Sequence, residues 1–143
     1  MRCAITIALI AAALAAPAQA GDRVLTKTRA SLLTEEYVGA PLWSLLAGCA
    51  GAQGAAHSYF AQRARTADAE RAKAAGAQML ELAVDRLVVD RRIDRKAALD
   101  VTLPAVEMGR ANGAGALDYP GKHEGLKWLG LKTSCAEIAA ASG

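Results

Sequence analysis

Four side chains of this 143-residue chain carry the chemistry to bind a soft metal or to move protons: Cys49, His57, His123 and Cys135. Thiolate sulfur and imidazole nitrogen are common zinc ligands, but such sites usually show C-x-x-C or H-x-x-x-H spacing. Here the four are scattered, so no metal ligand and no cofactor is assigned. Acid–base catalysis meets the same obstacle. Neither histidine adjoins a candidate nucleophile, and no G-x-S-x-G, H-E-x-x-H or phosphate-binding glycine loop occurs. His57 falls at the edge of an apolar helical face, where a histidine usually finds a local partner. His123 precedes Glu124 at a helix start, an exposed position. No catalytic residue is assigned, and the chain is not expected to be an enzyme.

The two cysteines have a simpler use. The third, Cys3, lies in an N-terminal segment with the pattern of a secretory signal peptide: Arg2, an uncharged apolar run from Ile5 to Ala16, then Pro17-Ala18-Gln19-Ala20 as an A-x-A processing site. The run is shorter than the roughly 20 residues a spanning helix needs, so cleavage after Ala20 is expected. The product would be periplasmic or fully secreted, with no integral membrane segment left. It would keep Cys49 and Cys135, which in an oxidising compartment have one possible intramolecular pairing. Leu46-Ala47-Gly48-Cys49 also matches a bacterial lipobox. Glu35 and Glu36 stand where that signal needs basic residues, so the stretch reads as a turn of an Ala/Gly-rich helix.

The aromatic residues are few: Trp43, Trp128, Tyr37, Tyr59, Tyr119 and Phe60. Trp43, Tyr59, Phe60 and Trp128 could line an apolar ligand pocket between helices, although the few large side chains of an Ala-rich bundle are more often its core. Seventeen basic residues face fourteen acidic ones, too even a balance to argue for nucleic acid. The densest basic cluster, Arg91, Arg92, Arg95 and Lys96, is interleaved with Asp90, Asp94 and Asp100 and reads as a solvated helix junction.

The elements that must position these residues are helical. Residues 21–33 read as a tail or short leading helix, and 34–143 as one helical domain. Thr34-Glu35-Glu36 resembles a helix start, interrupted at Gly39-Ala40-Pro41. From Pro41 to about Ala64, Leu42, Leu45, Leu46, Cys49, Ala56 and Phe60 share one face. A second helix runs from Thr66 or Asp68, either of which can cap it, to Val89, burying Ala72, Ala75, Met79, Leu82, Ala83 and Leu87. The third starts at an Asp94 cap and runs to about Ala111, with Leu99, Leu103 and Val106 as its stripe. Pro104 should kink it or divide it at Thr102. Asn112–Ala116 should end it, Gly113-Ala114-Gly115 being a flexible connection. The last helix covers Lys122 to about Ala141, with Trp128, Leu131, Cys135 and Ile138 on one face. Gly130, or a capping box at Ser134–Glu137, would divide it.

The expected fold is therefore all-α: a small antiparallel bundle of four main helices, with room for a short fifth, stapled by Cys49–Cys135. With no catalytic constellation, the leading expectation is an accessory, structural or chaperone-like interaction factor of the bacterial envelope, working through a protein partner. The alternative is a periplasmic carrier or sensor of a small apolar ligand. A carrier should enclose an apolar cavity, an interaction protein should present an open groove or patch, and an enzyme should converge polar groups of shifted pKa.

Overall fold

The computed structural model describes residues 18–26, 37–118 and 124–143; most of the signal segment, Thr34–Glu36, Tyr119 and His123 lie outside them. Four helices follow one another: α1 Leu42–Gln62, α2 Thr66–Arg91, α3 Arg95–Leu117 and α4 Glu124–Ala141. They form an up-down-up-down bundle. Gln53 of α1 lies against Gly76 of α2 and His57 against Ala69, so these two run antiparallel. Cys49 joins Cys135, while Trp128 packs on the cluster around Ala56, so α4 is antiparallel to α1 as well. Among the described residues there is no fifth helix, and no helix is long and apolar enough to cross a membrane.

α1 is the central rod. Its residues from Leu42 to Gln53 are all buried, and the expected single apolar face is replaced by burial on every side. The helix accordingly has little polarity difference around its circumference: α2, α3 and α4 surround it. Pro41 opens it, and Ala64 in the left-handed conformation closes the turn into α2. Neither Thr66 nor Asp68 caps α2. Arg65 occupies the cap position, and Asp68 instead pairs with Arg65 and Arg71. Asp94 does cap α3, accepting from the Ala97 N–H at 2.9 Å, a bond contributing about 1 kcal/mol.

The α1–α3 seam corrects the sequence reading most sharply. α3 buries Ala98, Thr102, Ala105, Gly109, Gly113 and Leu117, while Leu99 and Leu103 are 43% and 51% exposed. The small residues face inward because the two backbones nearly touch. A Cβ built on Gly109 would lie 1.8 Å from the Gly48 carbonyl oxygen, and one on Gly51 would lie 1.9 Å from that of Val106. A Cβ on Gly113 would come within 2.7 Å of the Ala52 Cα. A leucine stripe has no room there. The same contact explains why α3 continues to Leu117: Gly113 is a packing residue, and the expected flexible connection is helix. Nor does Pro104 divide α3. It lies on the exposed face with Asp100, whose carbonyl loses the i+4 amide partner on the solvent side of the helix; Thr102 bonds the Leu99 carbonyl from mid-helix. α4 is also undivided, and Ser134 is a buried interior residue.

Residues 21–26 form neither a helix nor a loose tail. Val24 makes an antiparallel bridge to Pro41, Leu25 exchanges backbone bonds with Ala40 and Gly39, and the Arg23 carbonyl accepts from Leu42. Leu25 enters the core at 3% exposure. Asp22 locks this strap. Its carboxylate, fully shielded from solvent, accepts two bonds from Arg91, one from the Trp43 indole and one from the Gln19 amide. The neighbouring Arg23 amide donates to Asp90, which is paired with Arg86. The basic cluster read as a solvated junction is thus partly structural: Arg91 is inside, while Arg95 reaches Asp85 and Glu81 across the α2–α3 turn.

The Arg91 guanidinium holds the Asp22 carboxyl at about 2, below its ordinary 3.8. A depressed carboxylate pKa stabilises the fold above the unfolded value, and that stabilisation disappears as pH falls from 3.8 towards 2. Denaturant midpoints measured across this window should fall for the parent protein. Asp22→Asn should flatten that part of the profile, and Asp22→Ala should cost about 3 kcal/mol at neutral pH by stranding Arg91. A parallel acid profile for parent and Asp22→Asn would show that the strap is not anchored through this charge.

Candidate functional site

α2 and α4 both lie on α1, with at most marginal contact between them. The space between them is a groove of about 710 Å³ that opens to solvent. Its floor comes from the C-terminal half of α1 and the end of α3: Gln53, Tyr59, Phe60 and Leu117. One wall is the first part of α2, with Asp68, Arg71, Ala72 and Ala75 and the preceding Arg65; the other is the first part of α4, with Trp128, Leu129 and Lys132. The helix geometry accounts for this arrangement. Trp128, Leu129 and Lys132 lie within about one turn, so a single face of α4 presents all three.

Three of the four aromatic residues proposed from sequence meet here. Tyr59 and Phe60 stack edge to face, with centroids 5.5 Å apart, and Trp128 packs with them around Ala56, Ala72 and Leu117. Trp43 does not join them. It is 3% exposed at the far end of α1, beneath Arg91 and bonded to Asp22, so it belongs to the core and to the strap anchor.

The rim is cationic. Arg65 and Arg71 hold the carboxylate of Asp68 on one wall, Lys132 stands on the other, and among the described lining residues Asp68 is the one acid. Arg71, and then Arg65, hold Asp68 below the ordinary carboxylate range, so it stays ionised and is a poor proton donor at neutral pH. Arg65 also lies 4.6 Å from the centre of the Phe60 ring, and Arg63 lies 3.5 Å from that of Tyr59, so charge and aromatic surface are interleaved. Gln53 is 4% exposed, and no hydrogen bond ties its side-chain amide to the described residues.

His57 stands apart from this chemistry: its Nδ1–H donates to the Ala69 carbonyl at 3.1 Å across the α1–α2 seam. Cys49 and Cys135 are bonded to each other, with Cα atoms 5.6 Å apart and both residues 1% exposed. The lipobox-like stretch ending at Cys49 is the interior of α1. Among the described residues, no cluster of His, Cys, Asp and Glu is arranged to hold a metal. No protein-family model, curated protein or solved structure matches this chain.

Tyr59, Phe60 and Trp128 are pocket candidates in the sequence, although the core reading outweighs the pocket there; the cations and Gln53 carry no such signal. Arg65 and Arg71 look like ordinary helix-surface charges at i,i+3 spacing from Asp68, and Lys132 is remote from them in sequence. Gln53 left a usable trace. In the apolar run Leu42–Ala56 only Ser44 and Gln53 are polar, and an uncharged polar residue inside a buried helix calls for a partner.

Proposed function

We propose that this chain is an exported helical interaction factor of the bacterial envelope, without catalytic activity, that receives a segment of a protein partner in the groove between α2 and α4. The observation that carries this reading is the groove itself: open, lined by Phe60, Leu117 and Trp128, and rimmed by Arg65, Arg71 and Lys132. A carrier of a small apolar ligand is better served by an enclosed apolar cavity. Catalysis would call for a titratable group tuned towards neutral pH, whereas Asp68 is driven the other way.

Export is the second part of the proposal, and the strap is compatible with it. Cleavage after Ala20 would remove the Gln19 amide from Asp22 but leave Arg91 and Trp43 in place, so the anchor would survive processing.

A photo-crosslinking side chain placed at Leu129, 55% exposed on the groove rim, tests the reading in living cells. The expected result is a crosslink to an envelope protein that is absent when the same group is placed at Val89, which is 63% exposed outside the groove. Intact-mass analysis of that material should find a chain starting at Gly21. Crosslinks to small apolar molecules alone would favour the carrier instead, and an intact N-terminus on cytoplasmic material would overturn export.

A further inference from the structure

Resting on the groove as a protein-docking site, we infer that its occupant is an acidic, partly apolar peptide segment bound in an extended conformation. Three independent features of the groove ask for three features of such a segment. The first is charge: among the described residues three cations share the rim with one carboxylate already held by two of them, so this lining carries unbalanced positive charge. Glutamate or aspartate side chains, or a terminal carboxylate, complement it, with arginine able to bind them through two parallel hydrogen bonds. Arg65 and Arg71 remain more than half exposed while holding Asp68, so each keeps donors for a ligand.

The second feature is the apolar lining. Phe60 and Trp128 are only half-buried, and Leu129 beside them is 55% exposed. An aliphatic or aromatic ligand side chain laid there would remove this surface from water, at roughly 25 cal/mol per Å². The third is Gln53. Its amide lines the groove with no hydrogen bond to the described residues, and it offers one donor pair and one acceptor on the same plane. A peptide group presents the complementary acceptor and donor. The hydrocarbon tail of a fatty acid presents neither, so the amide favours peptide over lipid.

Selection from a random-peptide display library on the oxidised, full processed protein tests this. The expected result is enrichment of sequences combining Asp or Glu with Leu, Phe or Trp. Binding of the selected peptides should fall at least about tenfold with Arg71→Glu plus Lys132→Glu, equivalent to 1.4 kcal/mol or more, and should weaken as salt rises. Gln53→Leu, a near-isosteric change, should weaken the peptides without altering the thermal midpoint, a readout that a purely structural role for Gln53 would not give. Peptides that bind, are lost with Trp128→Ala, and show no acidic preference would overturn this inference while leaving the docking groove intact. If no peptide is enriched and palmitate binds instead, with a change in Trp128 fluorescence, both the inference and the docking reading fail.

Discussion

Gly109→Ala should destabilise the bundle by about 3 kcal/mol, although alanine is the better helix former by about 1 kcal/mol. The added methyl would lie 1.8 Å from the Gly48 carbonyl oxygen, against a normal carbon–oxygen approach of about 3.3 Å. The obstacle is main chain, which no rotamer change can move. α1 and α3 would have to part along the whole seam, loosening the contacts at Gly51 and Gly113 as well. Gly115→Ala supplies the control on the same helix. It is exposed, and a Cβ there meets nothing within 4 Å, so that change should stabilise by about 0.5–1 kcal/mol. Urea midpoints for the two variants should therefore move in opposite directions. A shift in the same direction for both would mean that α1 and α3 are not in backbone contact.

Loss of the Cys49–Cys135 bond is expected to be at least as damaging. The bridge spans 86 residues, for which the chain-entropy model gives about 4–5 kcal/mol. Allowing for residual structure in the denatured chain, Cys49→Ala with Cys135→Ala should cost about 3–4 kcal/mol and lower the thermal midpoint by roughly 10–20 °C. α4 depends on the bridge because it packs on the rest of the bundle much less extensively than α1 packs on α2 or α3. The damage should therefore be uneven. α4 forms one wall of the groove, so the fluorescence of Trp128, isolated by Trp43→Phe, should change before the helical signal of α1–α3 is lost. Since both cysteines are 1% exposed, reductant should act slowly on the folded protein and quickly in urea. An unchanged midpoint after full reduction would show that α4 is held by packing alone.

Sequence pattern carried the fold class well because helices announce themselves locally. The helices found among the described residues, the Asp94 cap and the turn before α2 rest on spacing along the chain, and the pairing of Cys49 with Cys135 on cysteine number. It misassigned the inward face of α3 because hydrophobicity weighs leucine above glycine. At a seam where backbones touch, shape outweighs transfer free energy, and Ala98, Thr102, Ala105, Gly109 and Gly113 hold the interface while Leu99 and Leu103 face water. The small-residue period was present in the sequence, but nothing local says whether such a stripe marks a contact or a weak helix.

The strap and the groove lay further out of reach. Asp22 meets Arg91 across 69 positions, and Lys132 shares a groove with Arg65 and Arg71 only because α2 and α4 flank the same rod. What the sequence determined by itself was the set of helices and their staple, since 3.6-residue periodicity, caps and cysteine number are properties of the chain. The tertiary structure alone decided which faces turn inward, what anchors the N-terminal strap and where charge, aromatic surface and the Gln53 amide converge. Those depend on how closely two backbones can approach, a distance set by both partners at once.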